Sequence, residues 1–199
     1  MVTEKIIQQV DSVLSEKILA NSVFSPKVQY GLVETIVVLK DGLPHVLPVK
    51  MANGALSYVT PDDSFNTVTY HRNTRISYGK EPDSESYGEE DGKNVTMDFV
   101  FIVLANKIRT GMSGNKIEAM IGAFFPAQLT KEFIASIGMG KAAFSLQSTS
   151  SNSLEVFSSE YRGETYWLPE NWVAIQANYQ LTGSYEGECF NLCCDETTE

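Results

Sequence analysis

The side chains that could perform catalysis are few in this sequence, and none of them falls in a recognisable catalytic motif. Its 199 residues include two histidines, His45 and His71, both in segments that predict β-hairpins. A Ser, Cys or Thr nucleophile needs a base beside it, and no nucleophile-elbow, zinc-protease or dinucleotide-binding motif occurs. We therefore predict no catalytic residue and no cofactor. A carboxylate-dependent hydrolase remains an alternative, because sequence does not reveal the spatial separation of carboxylates.

Three cysteines, Cys189, Cys193 and Cys194, lie close together near the end of the sequence. A structural zinc site usually takes four Cys or His ligands, so this set is incomplete and we predict no metal site. The odd number of cysteines does not indicate a disulfide framework. Free thiols are the prediction, with a metal site and an intermolecular disulfide as the alternatives.

The formal net charge of -10 argues against a surface that binds nucleic acid as a whole. Binding to phosphates needs clustered Lys and Arg. A local basic patch stays open as an alternative, formed by Lys107, Arg109, Lys116, Arg72 and Arg75. Residues 81–91 carry six acidic side chains and no basic one, which predicts a solvated loop rather than a calcium site with alternating ligands.

The sequence predicts a protein that is made in the cytoplasm and does not enter a membrane. Its first residues interrupt their apolar positions every few residues, unlike a signal peptide. The longest strongly apolar run, residues 99–105, is too short for a bilayer core of roughly 30 Å.

The elements that would position these side chains start with an amphipathic helix over residues 2–18. Its apolar stripe either covers a sheet or packs on a neighbouring subunit. Residues 33–39 and 43–49 predict a hairpin around Asp41-Gly42. Pro44 and Pro48 lack an amide hydrogen, so the second strand should lie at an edge or be irregular.

The remaining segments predict further strands and one main helix. Residues 65–78, 94–105 and 172–181 predict strands, the second of them central because it becomes apolar on both faces. Residues 142–148 and 154–159 predict two short strands. Residues 115–137 predict a helix kinked at Pro126.

Together these elements predict a single α+β domain over residues 1–199. An antiparallel or mixed β-sheet is flanked by the N-terminal helix and the kinked main helix. Residues 44–94 are predicted to form a hairpin excursion or arm within this domain, and residues 187–199 a flexible tail. Residues 161–172 form an irregular aromatic segment.

The order of these elements resembles that of the tail terminators and related neck proteins of long-tailed bacteriophages. The resemblance depends on the strand over residues 95–103, the helix from Asn115, and the alternating strand over residues 172–181. It implies a structural virion protein that forms a ring, commonly a hexamer, joining the tail tube to the head. Its partners would be its own copies and other neck and tail-tube proteins, with DNA only passing through the lumen.

The resemblance and the proline-marked hairpins suggest contacts between subunits, because an extended strand can add to the sheet of a neighbour. The predicted interface residues are drawn from the arm and the aromatic segment: Val46, Tyr58, Tyr70, Tyr78, Trp167 and Trp172. A different class of function remains open, in which residues 161–172 bind a carbohydrate or a protein. The chain is also longer between residues 44 and 94 than a compact tail terminator requires.

Overall fold

The computed structural model describes residues 2–17, 19–40, 42–52, 54–80, 93–125, 134, 139, 141–163 and 167–185. Within these ranges the strands form two sheets accompanied by helices, which confirms the predicted α+β fold. The elements in chain order are α1 (Val2–Lys17), a 3-10 turn (Ser22–Phe24), β1 (Lys27–Leu32), β2 (Glu34–Lys40), β3 (Leu43–Ala52), β4 (Ala55–Tyr58), β5 (Thr67–Lys80), β6 (Lys93–Asn106), α2 (Lys107–Thr110), α3 (Gly114–Phe124), β7 (Lys141–Ser150), α4 (Ser153–Glu160) and β8 (Trp172–Tyr185).

The larger sheet has five strands in the order β1-β5-β6-β8-β7, with β6 at its centre. β1 runs parallel to β5, and the other neighbouring strands are antiparallel. Alternate residues of β6 enter two hydrophobic clusters, with Phe101 and Val103 on one face and Ile102 and Leu104 on the other. A strand covered on both faces reads as a continuous apolar run, so the predicted central strand is confirmed.

Helices α1 and α3 cover one face of the larger sheet. Ile6, Val10 and Leu14 recur once per helical turn and are fully buried in the same cluster as Phe101. The apolar stripe of α1 therefore covers the sheet of its own chain, which decides between the two predicted roles. α3 begins after Ser113, whose hydroxyl accepts a hydrogen bond from a backbone amide of the first turn.

The opposite face is covered by α4 and by a smaller antiparallel sheet with the order β2-β3-β4. Leu47 of the small sheet and Phe157 of α4 belong to the same buried cluster as Ile102. The predicted hairpin turn is present, with Gly42 at a φ angle of +79°, and a second turn, between β3 and β4, has Gly54 at +77°. A two-residue turn of this kind requires positive φ angles that glycine adopts without strain.

The prediction that Pro44 and Pro48 place their strand at an edge is wrong, because β3 is the middle strand of the small sheet. Val46 lies between them and exchanges both backbone hydrogen bonds with Arg162, on the side away from β2. Residues two apart in a strand direct their backbone groups to the same side. The proline nitrogens therefore face away from β2. On that side β4 pairs with β3 only from Val49 onwards, so neither proline nitrogen faces a strand that needs its hydrogen.

In the described part of the predicted excursion over residues 44–94, Thr67–Lys80 are not an arm but strand β5, which pairs with β6 within the larger sheet. One further prediction needs correction. The predicted strand at residues 154–159 is helix α4, which buries Val156, Phe157 and Glu160 along one side and leaves Leu154 exposed. The helix is stabilised by its contact with the larger sheet, where Val156 and Phe157 pack in the same cluster as Ile102.

Several predictions fall outside the described residues and stay predictions. They concern the acidic segment 81–91, the kink at Pro126 with the helix beyond it, and the tail 187–199 with its three cysteines. In the part of the chain that the structure describes, no helix is long and apolar enough to cross a membrane.

Candidate functional site

Two of the predicted interface residues are strongly exposed. Trp167 and Tyr58 keep 76% and 53% of their surface accessible. Val46 is half-buried in β3, directly opposite Val37 of β2. Tyr78 belongs to β5, but its side chain lies outside the described residues.

Tyr70 and Trp172 are core residues, so their assignment to an interface is corrected. Both belong to the cluster beneath the small sheet, and the Trp172 indole donates a hydrogen bond to Asp63 at 3.3 Å. Tyr161, at the start of the aromatic segment, is equally buried and donates to a backbone carbonyl. The described aromatic residues of segment 161–172 are Tyr161, Trp167 and Trp172. Of these three, Trp167 reaches the surface, which weighs against a shared aromatic face for binding carbohydrate.

Exposed apolar side chains concentrate on the small sheet. Among the described residues, six of the ten strongly exposed large apolar side chains belong to this sheet: Val37, Leu39, Leu43, Met51, Leu56 and Tyr58. A single exposed leucine needs no explanation, whereas a group of them marks an interaction surface.

All of these residues except Leu43 fall in two patches on opposite faces of the small sheet. Val37 and Leu39 lie opposite Val46 and Pro44 on the outer face, and we call these four residues the β2 patch. The side chains of Val46 and Met51 point to opposite faces, because their positions along β3 differ by an odd number. The second group is the β4 patch, made of Met51, Leu56 and Tyr58.

A chain of hydrogen bonds joins α1, β5 and β8 inside the core. The Nε2 atom of His71 lies 2.7 Å from Oδ1 of Asp11, and its Nδ1 atom lies 2.8 Å from the hydroxyl of Tyr179. The imidazole also stacks on Phe101 with ring centroids 4.6 Å apart. A neutral imidazole satisfies both partners by donating to the carboxylate and accepting from the phenol.

This Asp–His–Tyr chain was missed from the sequence, and its geometry fits a structural role better than a catalytic one. His71 and Tyr179 expose 0% and 1% of their surface, so a substrate does not reach them. Burial first, and then the charge of Asp11, raise the pKa of Tyr179 well above its ordinary value. A phenol held protonated in this way is the opposite of an activated tyrosine.

Asp11 also borders a cleft of about 240 Å³ between α1 and the strands β1 and β3. Its wall also includes the polar residues Glu4, Gln8 and Lys50, and the Lys50 amine donates to the carbonyl of Leu32 at 2.9 Å. Sites for drug-sized ligands usually enclose 300–1,000 Å³ and are mostly apolar. The cleft is smaller and more polar than such sites.

A second polar link lies on the opposite face of β5. The Arg72 guanidinium donates two hydrogen bonds to the Glu160 carboxylate, at 3.0 and 2.6 Å. The hydroxyl of Tyr70 lies 3.4 Å from the same carboxylate. Glu160 is almost fully buried, and both of its oxygens are engaged by Arg72. This pair fastens α4 to the larger sheet, and it occupies the guanidinium of Arg72, one member of the basic patch that stayed open as an alternative.

The described ranges contain no group of three His, Cys, Asp or Glu side chains arranged as metal ligands. Lys107, Arg109 and Lys116 are exposed in α2 and α3. No protein-family model matches this chain, and no curated protein sequence matches it either.

Proposed function

We propose that this protein is a structural subunit that associates with copies of itself through the small sheet. The observation that carries the proposal is the concentration of exposed apolar side chains in the β2 and β4 patches. Their position on opposite faces of one sheet offers two separate contacts per subunit. Two different contacts allow a closed assembly larger than a dimer.

The magnitude of the apolar term is compatible with such an association. Removing a half-exposed Leu, Val or Met side chain from water contributes on the order of 1 kcal/mol. A two-fold contact through the β2 patch buries Val37 and Leu39 of each copy, so these four side chains contribute on the order of 4 kcal/mol. Association costs an estimated 4–15 kcal/mol, so the apolar term of one patch supports a weak contact and not a tight complex.

We extend this proposal to a ring at the neck or tail of a long-tailed bacteriophage, joining the tail tube to the head. The order of the elements supports this extension, as does the net charge of -10, since an acidic lumen discourages tight contacts with passing DNA. Electron microscopy of the assembled protein should show rings with a central channel. Open filaments or compact dimers would contradict a ring.

A matched pair of variants tests the contact surface. Leu39→Lys places a charge in the β2 patch, and Leu154→Lys places one on α4 at nearly equal exposure, 74% against 75%. Sedimentation velocity should show loss of the oligomer for Leu39→Lys and an unchanged oligomer for Leu154→Lys. Equal behaviour of the two variants would contradict assembly through the small sheet.

A further inference from the structure

The free edge of β2 carries three residues whose backbone groups point away from β3. The two-residue turn makes Lys40 and Leu43 a hydrogen-bonded pair, and such pairs alternate along an antiparallel ladder. The even-numbered residues of β2 therefore bond to β3. Thr35, Val37 and Leu39 direct their N–H and C=O groups outward from a strand at the sheet edge, and all three side chains are exposed.

The other sheet edges of the described structure are interrupted or short. β4 has four residues, and the ladders of β1 and β7 each contain a register shift. β2 keeps a regular register over seven residues and contains neither proline nor bulge. Natural proteins usually protect an edge strand with such devices, so a regular edge rich in β-branched residues is a template for another strand.

We infer that β2 pairs with β2 of a second copy of this chain, antiparallel and about a two-fold axis at Val37. This inference depends on the proposed self-association. The register places Val37 opposite Val37, and Thr35 opposite Leu39 of the other copy. All three outward residues of each copy gain a hydrogen-bonded partner, because outward-pointing residues face one another in pairs.

The charges at the two ends of β2 identify the second copy as the occupant. In this register Glu34 of one copy lies opposite Lys40 of the other, and the two-fold axis repeats the pair. Opposite charges directly across a ladder are stabilising, and like charges are destabilising. A parallel arrangement in register would place Glu34 beside Glu34, so the charge order selects the antiparallel one.

A two-fold contact closes on itself, so β2 pairing alone yields a dimer. The β4 patch lies at the other edge of the same sheet. It leaves a second apolar contact for an assembly of dimers.

Charge exchange tests the register. Glu34→Lys and Lys40→Glu each create two like-charged pairs across the contact, whereas the double variant restores opposite charges and the original net charge. Within one chain the two positions are about 20 Å apart, so rescue must come from contact between copies. We expect each single variant to raise the dissociation constant about 2- to 30-fold. The double variant should return to the wild-type value, and a double variant as weak as the singles would overturn this register.

Val37→Pro tests the backbone pairing. It removes an outward N–H and leaves the β2–β3 hydrogen bonds in place, so the thermal unfolding of the subunit should stay close to that of the wild type. Light scattering should show a smaller oligomer than that of the wild type at the same protein concentration. An oligomer that is insensitive to Val37→Pro and to the charge variants overturns the pairing but leaves the proposed function standing. A wild type that is monomeric at every concentration overturns both.

Discussion

Replacing Arg72 with methionine should destabilise the fold by leaving a carboxylate buried without its partner. The guanidinium joins β5 to α4 through two hydrogen bonds to Glu160, one from Nε at 3.0 Å and one from Nη2 at 2.6 Å. Methionine keeps much of the length and apolar surface of the side chain. The substitution therefore isolates the loss of the charged hydrogen bonds from a loss of packing.

The exposures of the two partners set the size of the effect. Breaking a buried ion pair costs about 3–5 kcal/mol, because the remaining charge is neither paired nor solvated. The Glu160 side chain is 2% exposed, but that of Arg72 is 28% exposed, so water can enter from the arginine side. We therefore expect a loss of about 3 kcal/mol in the free energy of unfolding. The double variant Arg72→Met/Glu160→Met leaves no buried charge and should lose less than about 1.5 kcal/mol.

Urea unfolding followed by tryptophan fluorescence measures both effects, since Trp172 is buried in the folded state. Arg75→Met is the matched control, at an exposed position of the same strand, and should change stability by no more than about 0.5 kcal/mol. The reasoning is refuted by a loss below about 1 kcal/mol for Arg72→Met. A double variant no more stable than the single one would refute it equally.

Three further predictions concern the core. His71→Phe keeps the aromatic stacking but leaves a buried phenol unpaired, so urea unfolding should show a loss of about 2 kcal/mol; an unchanged midpoint would exclude a structural role for the Asp–His–Tyr chain. Burial raises the pKa of Tyr70, Tyr161 and Tyr179 above 10.0, so above that pH the unfolded state loses protons that the folded state retains. Stability should then fall by up to about 1.4 kcal/mol per pH unit for each of them, and stability independent of pH up to about pH 11 would contradict this. Gly163→Ala would place a Cβ atom against the His45 ring, at a φ of +141° that side chains rarely adopt. Thermal unfolding should therefore reveal a loss of about 2–4 kcal/mol, and a wild-type melting temperature would argue against that close approach.

The parts of the fold that the sequence predicted are those with a strong local pattern. The stripe of α1 repeats once per turn, and β6 becomes apolar on both faces, so each pattern allows one interpretation. Helix α4 was assigned as a strand because eight residues contain too few turns to distinguish the two periods. The position of β3 was missed because the side to which a proline nitrogen points depends on the register, which spacing does not reveal.

The polar links of the core could not be predicted, because their partners are distant in the sequence. His71 is 60 residues from Asp11 and 108 from Tyr179, and Arg72 is 88 residues from Glu160. Neighbouring residues of β5 point to opposite faces, so these two side chains reach different layers. The β2 and β4 patches were likewise invisible, since an apolar strand residue has the same appearance whether it faces the core or solvent.

The native mass of the wild-type protein tests the central claim most directly. Light scattering coupled to size-exclusion chromatography, over a series of protein concentrations, compares the measured mass with the 22.0 kDa of one chain. Self-association through the small sheet predicts a mass of at least two chains that decreases on dilution. A mass of one chain at the highest attainable concentration would contradict it.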